Sequence, residues 1–151
     1  MALKKRIKKE VKVKNEHQEL RSNLATTYFW VKGNIKQFLD SYELTQQQFA
    51  VLQILRDNKP KPLTTSQITE KMIDRNSDTS RVVDRLFSKG FVEKKASKTD
   101  KRLVDVFITK EGFKLLQKID RRYSALDKIS SNLSDRQIKQ LNKLLETLRS
   151  E

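Results

Sequence analysis

Two clusters of cationic and hydroxyl side chains carry the chemistry available to this chain. The first lies along Ser77-Asp-Thr-Ser-Arg-Val-Val-Asp-Arg-Leu-Phe-Ser-Lys-Gly90 and the second along Lys98-Thr-Asp-Lys-Arg102. Guanidinium, ammonium and serine hydroxyl groups at these spacings can hold a polyanion such as duplex DNA. On a helical wheel of about 100° per residue, Thr79, Val82, Val83, Leu86 and Phe87 gather on one face of a helix expected from Ser77 to Lys89, so that face is the core side. Opposite lie Ser77, Arg81, Asp84 and Ser88, with Ser80 and Arg85 at the flanks. Arginine grips guanine through two parallel hydrogen bonds, and serine is small enough to let a helix sink into the major groove. Asn76 or Ser77 is the expected N-cap.

The second cluster is the tip of a hairpin. Val92, Lys94 and Ala96 alternate with Phe91, Glu93 and Lys95, and Val104, Val106 and Ile108 alternate with Leu103, Asp105 and Phe107, the period of two short strands. An arginine on such a tip can enter the narrow, electronegative minor groove, and a carboxylate nearby can hold its guanidinium in one orientation. Asp100 and Arg102 have that spacing. Polar-faced helix pairs also occur in proteins that never meet DNA; the hairpin directly behind this one is what tips the reading towards duplex DNA.

Both clusters need a scaffold, and the remaining sequence describes one. Three helices open with Thr or Ser followed three residues on by Gln, a pair that satisfies two orphan backbone N–H groups at once. They are Thr45 with Gln48, Thr64 with Gln67, and Ser134 with Gln137. The first carries Phe49, Leu52 and Leu55 on one side and is closed by Asn58-Lys-Pro-Lys-Pro62. The second passes through Ile68 and Met72 to end near Asp74, and with the Ser77 helix it forms a helix-turn-helix whose second member reads bases while the first crosses the backbone. A long helix from Glu16 to Leu39 bears the stripe Leu20, Leu24, Tyr28, Val31, Ile35 and Phe38. Another is expected over residues 110 to 131, with Leu115, Leu116, Ile119, Tyr123, Leu126 and Ile129, and a last one from Ser134 to Leu148. A small core cannot bury the first stripe alone, so a partner subunit is expected against it.

Lysine and arginine number 33 against 19 aspartates and glutamates, a net charge of +14, which favours a polyanionic partner. Nucleic acid and an anionic membrane surface compete for that role. No apolar run approaches the ~18 to 20 residues of a span and no signal-peptide pattern opens the chain; a soluble, cytoplasmic protein with no membrane partner is expected. Its 151 residues suffice for one domain and a helical extension that pairs with another copy. The absence of cysteine excludes thiolate nucleophiles and thiol redox sensing, and His17, the only histidine, cannot build a metal site alone. There is no Gly-rich phosphate loop, and Asp74 with Asp78 reads as helix-end electrostatics. Neither an enzyme nor a cofactor is expected. Residues 1 to 14 carry Lys4, Lys5, Arg6, Lys8, Lys9, Lys12 and Lys14 against Glu10. That run reads as a solvated tail or frayed helix, or as an arm tracking DNA phosphates; its apolar face is thin for a lipid anchor.

The run Leu44-Thr-Gln-Gln-Gln-Phe-Ala-Val-Leu52, then Arg81-Val-Val-Asp-Arg-Leu86, Lys89-Gly-Phe-Val92, Asp100-Lys-Arg-Leu-Val104 and Ile108-Thr-Lys-Glu-Gly112 resembles the MarR family of bacterial transcriptional regulators. The likeness extends over roughly residues 16 to 150, and Asp-x-Arg followed by Thr-x-x-Gly is its most specific part. It implies a mainly α (α+β) fold, a winged helix-turn-helix with a two-stranded β wing and N- and C-terminal dimerisation helices. The chain then divides into a basic N-terminal extension (1–15), a helical dimerisation region (16–42 and 110–151) and a winged helix-turn-helix DNA-binding domain (43–109). By carry-over Arg102 is the wing arginine and Asp100 its positioning partner, while Asn76, Ser77, Ser80 and Arg81 sit where the family's recognition helix meets bases. Arg85, Lys98 and Lys101 complete the expected contacts; Lys101 stands where the family often has arginine, and the lysine-rich N-terminus has no clear counterpart in the family.

The resemblance further implies a homodimeric repressor on a pseudo-palindromic stretch of double-stranded DNA. A small aromatic or anionic effector would bind between the dimer helices and the winged lobe. Tyr28, Phe29 and Trp30 are available to line such a pocket, but aromatics on a long packed helix more often serve a core or interface, and no ligand residue is assigned. The rival reading is a non-specific architectural nucleic-acid-binding protein whose basic arm is the main contact.

Overall fold

The first helix begins where an asparagine can cap it. In the computed structural model, which describes residues 15–98 and 100–150, the Asn15 side chain accepts from the Gln18 N–H at 2.9 Å and α1 runs Glu16–Asp40. The basic run at residues 1 to 14 lies outside the described residues. All three expected capping boxes close. At α2 (Gln46–Asn58) the Thr45 hydroxyl accepts from the Gln48 N–H at 3.1 Å, and the Gln48 side-chain carbonyl accepts from the Thr45 N–H at 3.0 Å. Thr64 with Gln67 opens α3 (Thr65–Lys71) and Ser134 with Gln137 opens α6 (Asp135–Arg149) in the same way. Each such cap stabilises by about 1 kcal/mol.

Helix α3 stops at Lys71, short of the expected Asp74, because Met72 turns to extended backbone and buries its side chain. Helix α4 spans Thr79–Ser88 and is capped by Asp78, whose carboxylate accepts from the Arg81 N–H at 3.1 Å. Asn76 and Ser77, the expected caps, instead form the turn before it: Asp74 Oδ1 accepts from the Asn76 N–H at 3.1 Å, and the Ser77 hydroxyl donates to the Asp74 carbonyl at 2.9 Å. With Asp74 closing that turn, the next carboxylate is the one placed to meet the helix amides.

Strands β1 (Leu63–Thr64), β2 (Val92–Ala96) and β3 (Val104–Ile108) form an antiparallel sheet in the order β1-β3-β2. The wing hairpin pairs Val92 with Ile108 and Ala96 with Val104. A third, short strand joins the two expected ones: after a turn at Lys59 and Pro60, Pro62 bars a return to helix, and Leu63 comes to lie opposite Val106. Leu39, Leu52, Ile68, Leu86, Val106 and Leu116, one from each of six elements, are completely buried. The core therefore lies between α2, α3, α4 and one face of the sheet, with α1 and α5 (Lys110–Asp120) closing it. On α4 the wheel holds for Thr79, Val83 and Leu86, but Phe87 is half exposed; its ring is covered by the Lys94 ammonium 5.0 Å away.

The helix expected over residues 110 to 131 breaks in two. After α5 comes a turn at Arg121 and Arg122 and a 3-10 segment at Tyr123–Ser130. Tertiary contacts account for the break. Arg56 of α2 holds the end of α5 through Asp120 at 2.6 Å, and the Tyr123 ring stacks on Phe49 at 6.0 Å and meets Phe38 edge-on at 6.2 Å.

The Thr-x-x-Gly sequence fastens the wing to α5. Thr109 donates its hydroxyl to the Gly90 carbonyl at 2.8 Å, accepts from the Gly112 N–H at 3.0 Å and donates its own N–H to the Phe91 carbonyl at 3.0 Å. Gly90 ends α4 at φ +74°, a conformation that suits glycine. A Cβ on Gly112 would collide with the Phe91 backbone carbonyl. Gly112→Ala is expected to lower stability by about 1 to 3 kcal/mol; an unchanged thermal midpoint would show that this joint has slack.

Candidate nucleic-acid interface

Helix α4 presents its polar face because its apolar face is consumed by the core. Ser80, Arg81, Asp84, Arg85 and Ser88 are all exposed. Asp78 uses both oxygens on one residue: Oδ1 takes the Arg81 N–H, and Oδ2 lies 3.4 Å from the Arg81 Nε. Arg85 carries a guanidinium without an ion-pair partner among the described residues. Ser88 donates its hydroxyl back to the Asp84 carbonyl at 3.0 Å. Between α3 and α4 the Thr69 hydroxyl donates to that of Thr79 at 2.7 Å, pinning the two helices together.

The wing tip is built by its own backbone. Ser97 N–H donates to the Leu103 carbonyl at 3.0 Å, and Leu103 N–H to the Asp100 carbonyl at 2.9 Å. Asp100 Oδ1 accepts from the Arg102 backbone N–H at 2.9 Å. Sequence reasoning gave this carboxylate the Arg102 guanidinium to hold; here it closes the turn, a common use of aspartate two residues before an amide. Asp100 thus orders the loop that carries Arg102. Lys98, Lys101 and Arg102 are exposed around it.

Helix and wing meet in one cleft. A concavity of about 270 Å³ is lined by Thr64, Ser66, Ser80, Asp84, Lys94 and Arg102, among others. Of the expected site residues it gathers Ser80 and Arg102. Asn76, Ser77, Arg81 and Arg85 do not line it, nor do Asp100 and Lys101; Lys98 belongs to a separate groove of about 540 Å³ with Lys61, Gln67 and Lys95. Asp78, read from the sequence as helix-end electrostatics, is the cap of α4. Thr64 and Lys94 escaped sequence reasoning as parts of the cleft. Thr64 reaches the cleft only because β1 pairs with β3, and Lys94 was hidden by its place in an apolar strand pattern.

A further cleft of about 380 Å³ lies between α1 and the start of α2, lined by Phe29, Lys32, Gly33, Lys36, Asp40, Thr45, Gln46 and Gln47. Of the three neighbouring aromatics only Phe29 lines it. Lys36 and Asp40 pair at 2.7 Å on its wall. Among the described residues there is no group of His, Asp or Glu able to hold a metal ion, and no helix long and apolar enough to cross a membrane.

Residues 44–104 match the model of the MarR family. The HTH-type transcriptional regulator MhqR of Bacillus subtilis is 29% identical over 124 residues, covering 82% of this chain and 84% of that protein. A putative MarR-like transcription regulator from Bacillus cereus superposes with a TM-score of 0.81 at 22% identity, over 88% of this chain and 95% of that one. A mutant MarR from E. coli, solved in complex with operator DNA, gives 0.79 at 24% identity, over 93% of this chain and all of that one (100%). The matched block spans α2 to the start of β3 and the winged architecture around it is that of solved MarR-like proteins, so over residues 44–104 this chain is similar to the MarR family.

Proposed function

We propose that the protein is a sequence-specific, double-stranded DNA-binding transcriptional regulator. It acts as a homodimeric repressor on a pseudo-palindromic operator and is released by a small aromatic or anionic ligand. The observation that carries this reading is the shared cleft: Ser80 of α4 and Arg102 of the wing face one concavity, so a helix seated in the major groove brings the wing arginine to the adjacent minor groove. The same fold in a relative complexed with operator DNA supports it.

In this reading residues 43–109 bind DNA, while 16–42 and 110–151 join two copies. A single protomer leaves Leu20, Tyr28, Trp30, Leu141, Leu144 and Leu148 substantially exposed, an apolar surface that calls for a partner. Two recognition helices related by a twofold would then enter major grooves about one helical turn apart, ~34 Å. The effector would occupy the 380 Å³ cleft, where Phe29 offers a ring face and Lys32 offers positive charge. It would act by binding one dimer geometry more tightly than the other.

Selection of bound sites from random duplexes tests the reading. An inverted repeat with half-sites about 10 base pairs apart is the expected product. Arg102→Ala should weaken binding to that site by roughly 5- to 150-fold, the equivalent of ~1 to 3 kcal/mol, with the melting curve unchanged because the Arg102 side chain is exposed. Enrichment of no sequence, with unrelated DNA competing equally, would favour an architectural coating protein instead.

A further inference from the structure

Asp84 is a carboxylate on the surface that meets DNA in the proposed function, on which this inference rests. Asp84 is the single acidic residue within α4, and its side chain is 63% exposed in the cleft that also holds Ser80 and Arg102. Left alone it would oppose phosphate, and like charges set against each other across an interface weaken it strongly. It is not left alone. Lys94, at the centre of β2 opposite Val106, puts its ammonium 2.7 Å from Asp84 Oδ1. The same ammonium lies 5.0 Å over the Phe87 ring, which holds it against α4. At 33% exposure the Lys94 side chain is about half as open as that of Lys95 beside it, at 64%.

The geometry points to Lys94 as a positioning residue that cancels the Asp84 charge inside the cleft, so that the cations of α4 and the wing act on DNA undiminished. The exposed phenylalanine on α4 belongs to the same device. Lys94 itself spends its charge on Asp84 and makes no phosphate contact.

Operator binding by K94M, K94R and the double variant D84N/K94M, measured across a salt series on the full chain with the site selected by the unsubstituted protein, tests this. K94M should lose about tenfold or more in affinity, and K94R, which keeps the ion pair, should bind within about threefold of the unsubstituted protein. D84N/K94M should recover most of the K94M loss, with the salt slope unaltered throughout. A double variant as weak as K94M, together with a slope reduced by about 0.9 per site, would make Lys94 a phosphate ligand and overturn the inference alone. Failure of the unsubstituted protein to select any site would overturn it together with the reading it rests on. K94M that melts early is judged by K94R and the double variant: normal folding of D84N/K94M without recovered binding also overturns it.

Discussion

Leu144→Glu combined with Leu148→Glu should convert the protein from dimer to monomer and reduce operator affinity by about a thousandfold. Both leucines lie on α6 with more than half their surface open in a single protomer, at 58% and 52%. Helix α6 buries no residue in the protomer core, so the folded state of one chain does not depend on them. Two glutamates from each copy would bring four like charges onto a surface that has to be dry, and association would fail. The cost to DNA binding comes from valency. When two half-sites are read by linked helices, the second engagement is intramolecular and gains ~10²- to 10⁴-fold over independent binding, and a monomer forfeits all of it. Sedimentation or scattering mass, with a titration of the selected operator, gives both readouts. A double variant that keeps the mass of two chains would move the subunit interface away from α6, and a monomer with full affinity would remove the twofold from the mechanism.

The second large effect is that of salt. Arg81, Arg85, Lys98, Lys101 and Arg102 give each protomer five exposed cations around the candidate interface. If six of the ten in a dimer neutralise phosphates, raising salt from about 50 to 200 mM should lower affinity by about 10³, because each neutralised phosphate releases ~0.9 of a condensed counterion. Lys94, held 2.7 Å from Asp84, is left out of this count because the inference above gives it no phosphate contact. Affinity that stayed constant over this range would contradict the electrostatic basis of the proposal. The slope also bears on the N-terminus: deletion of residues 2–14 leaves it unchanged if that run is a solvated tail and flattens it if the run is a phosphate-tracking arm.

Elements set by local chemistry were legible in the residues. Thr45, Thr64 and Ser134 announce helix starts because a cap and its reciprocal glutamine lie three residues apart, well within one turn. The hairpin period likewise required only alternate residues. The Thr-x-x-Gly signature was noted as a pattern, and its reason, the contact of Gly112 with the Phe91 backbone, came from the fold. The reading of α4 erred at Phe87, placed on the core face but half exposed, and at the N-terminal cap, where it chose Asn76 or Ser77 over Asp78. Three adjacent polar residues could each cap, and the choice falls to whichever is not already engaged; Asp74 engages the other two.

Residue type and neighbours within a turn or a strand were enough for the three capping-box helix starts, the charged hairpin, the exposed Ser80, Arg81 and Arg85, and the absence of any thiol chemistry. Tertiary structure alone decided the rest. Arg56, distant by much of the chain, pairs with Asp120 where α5 ends, and Tyr123 is held by rings from α1 and α2. The third strand exists because Leu63 meets Val106, and the cleft joining Ser80 to Arg102 arises only when the sheet folds back across α4. Periodicity reports what one segment prefers; which side chain neutralises Asp84 or covers Phe87 is a matter of distances between segments, and those are fixed only when the core closes.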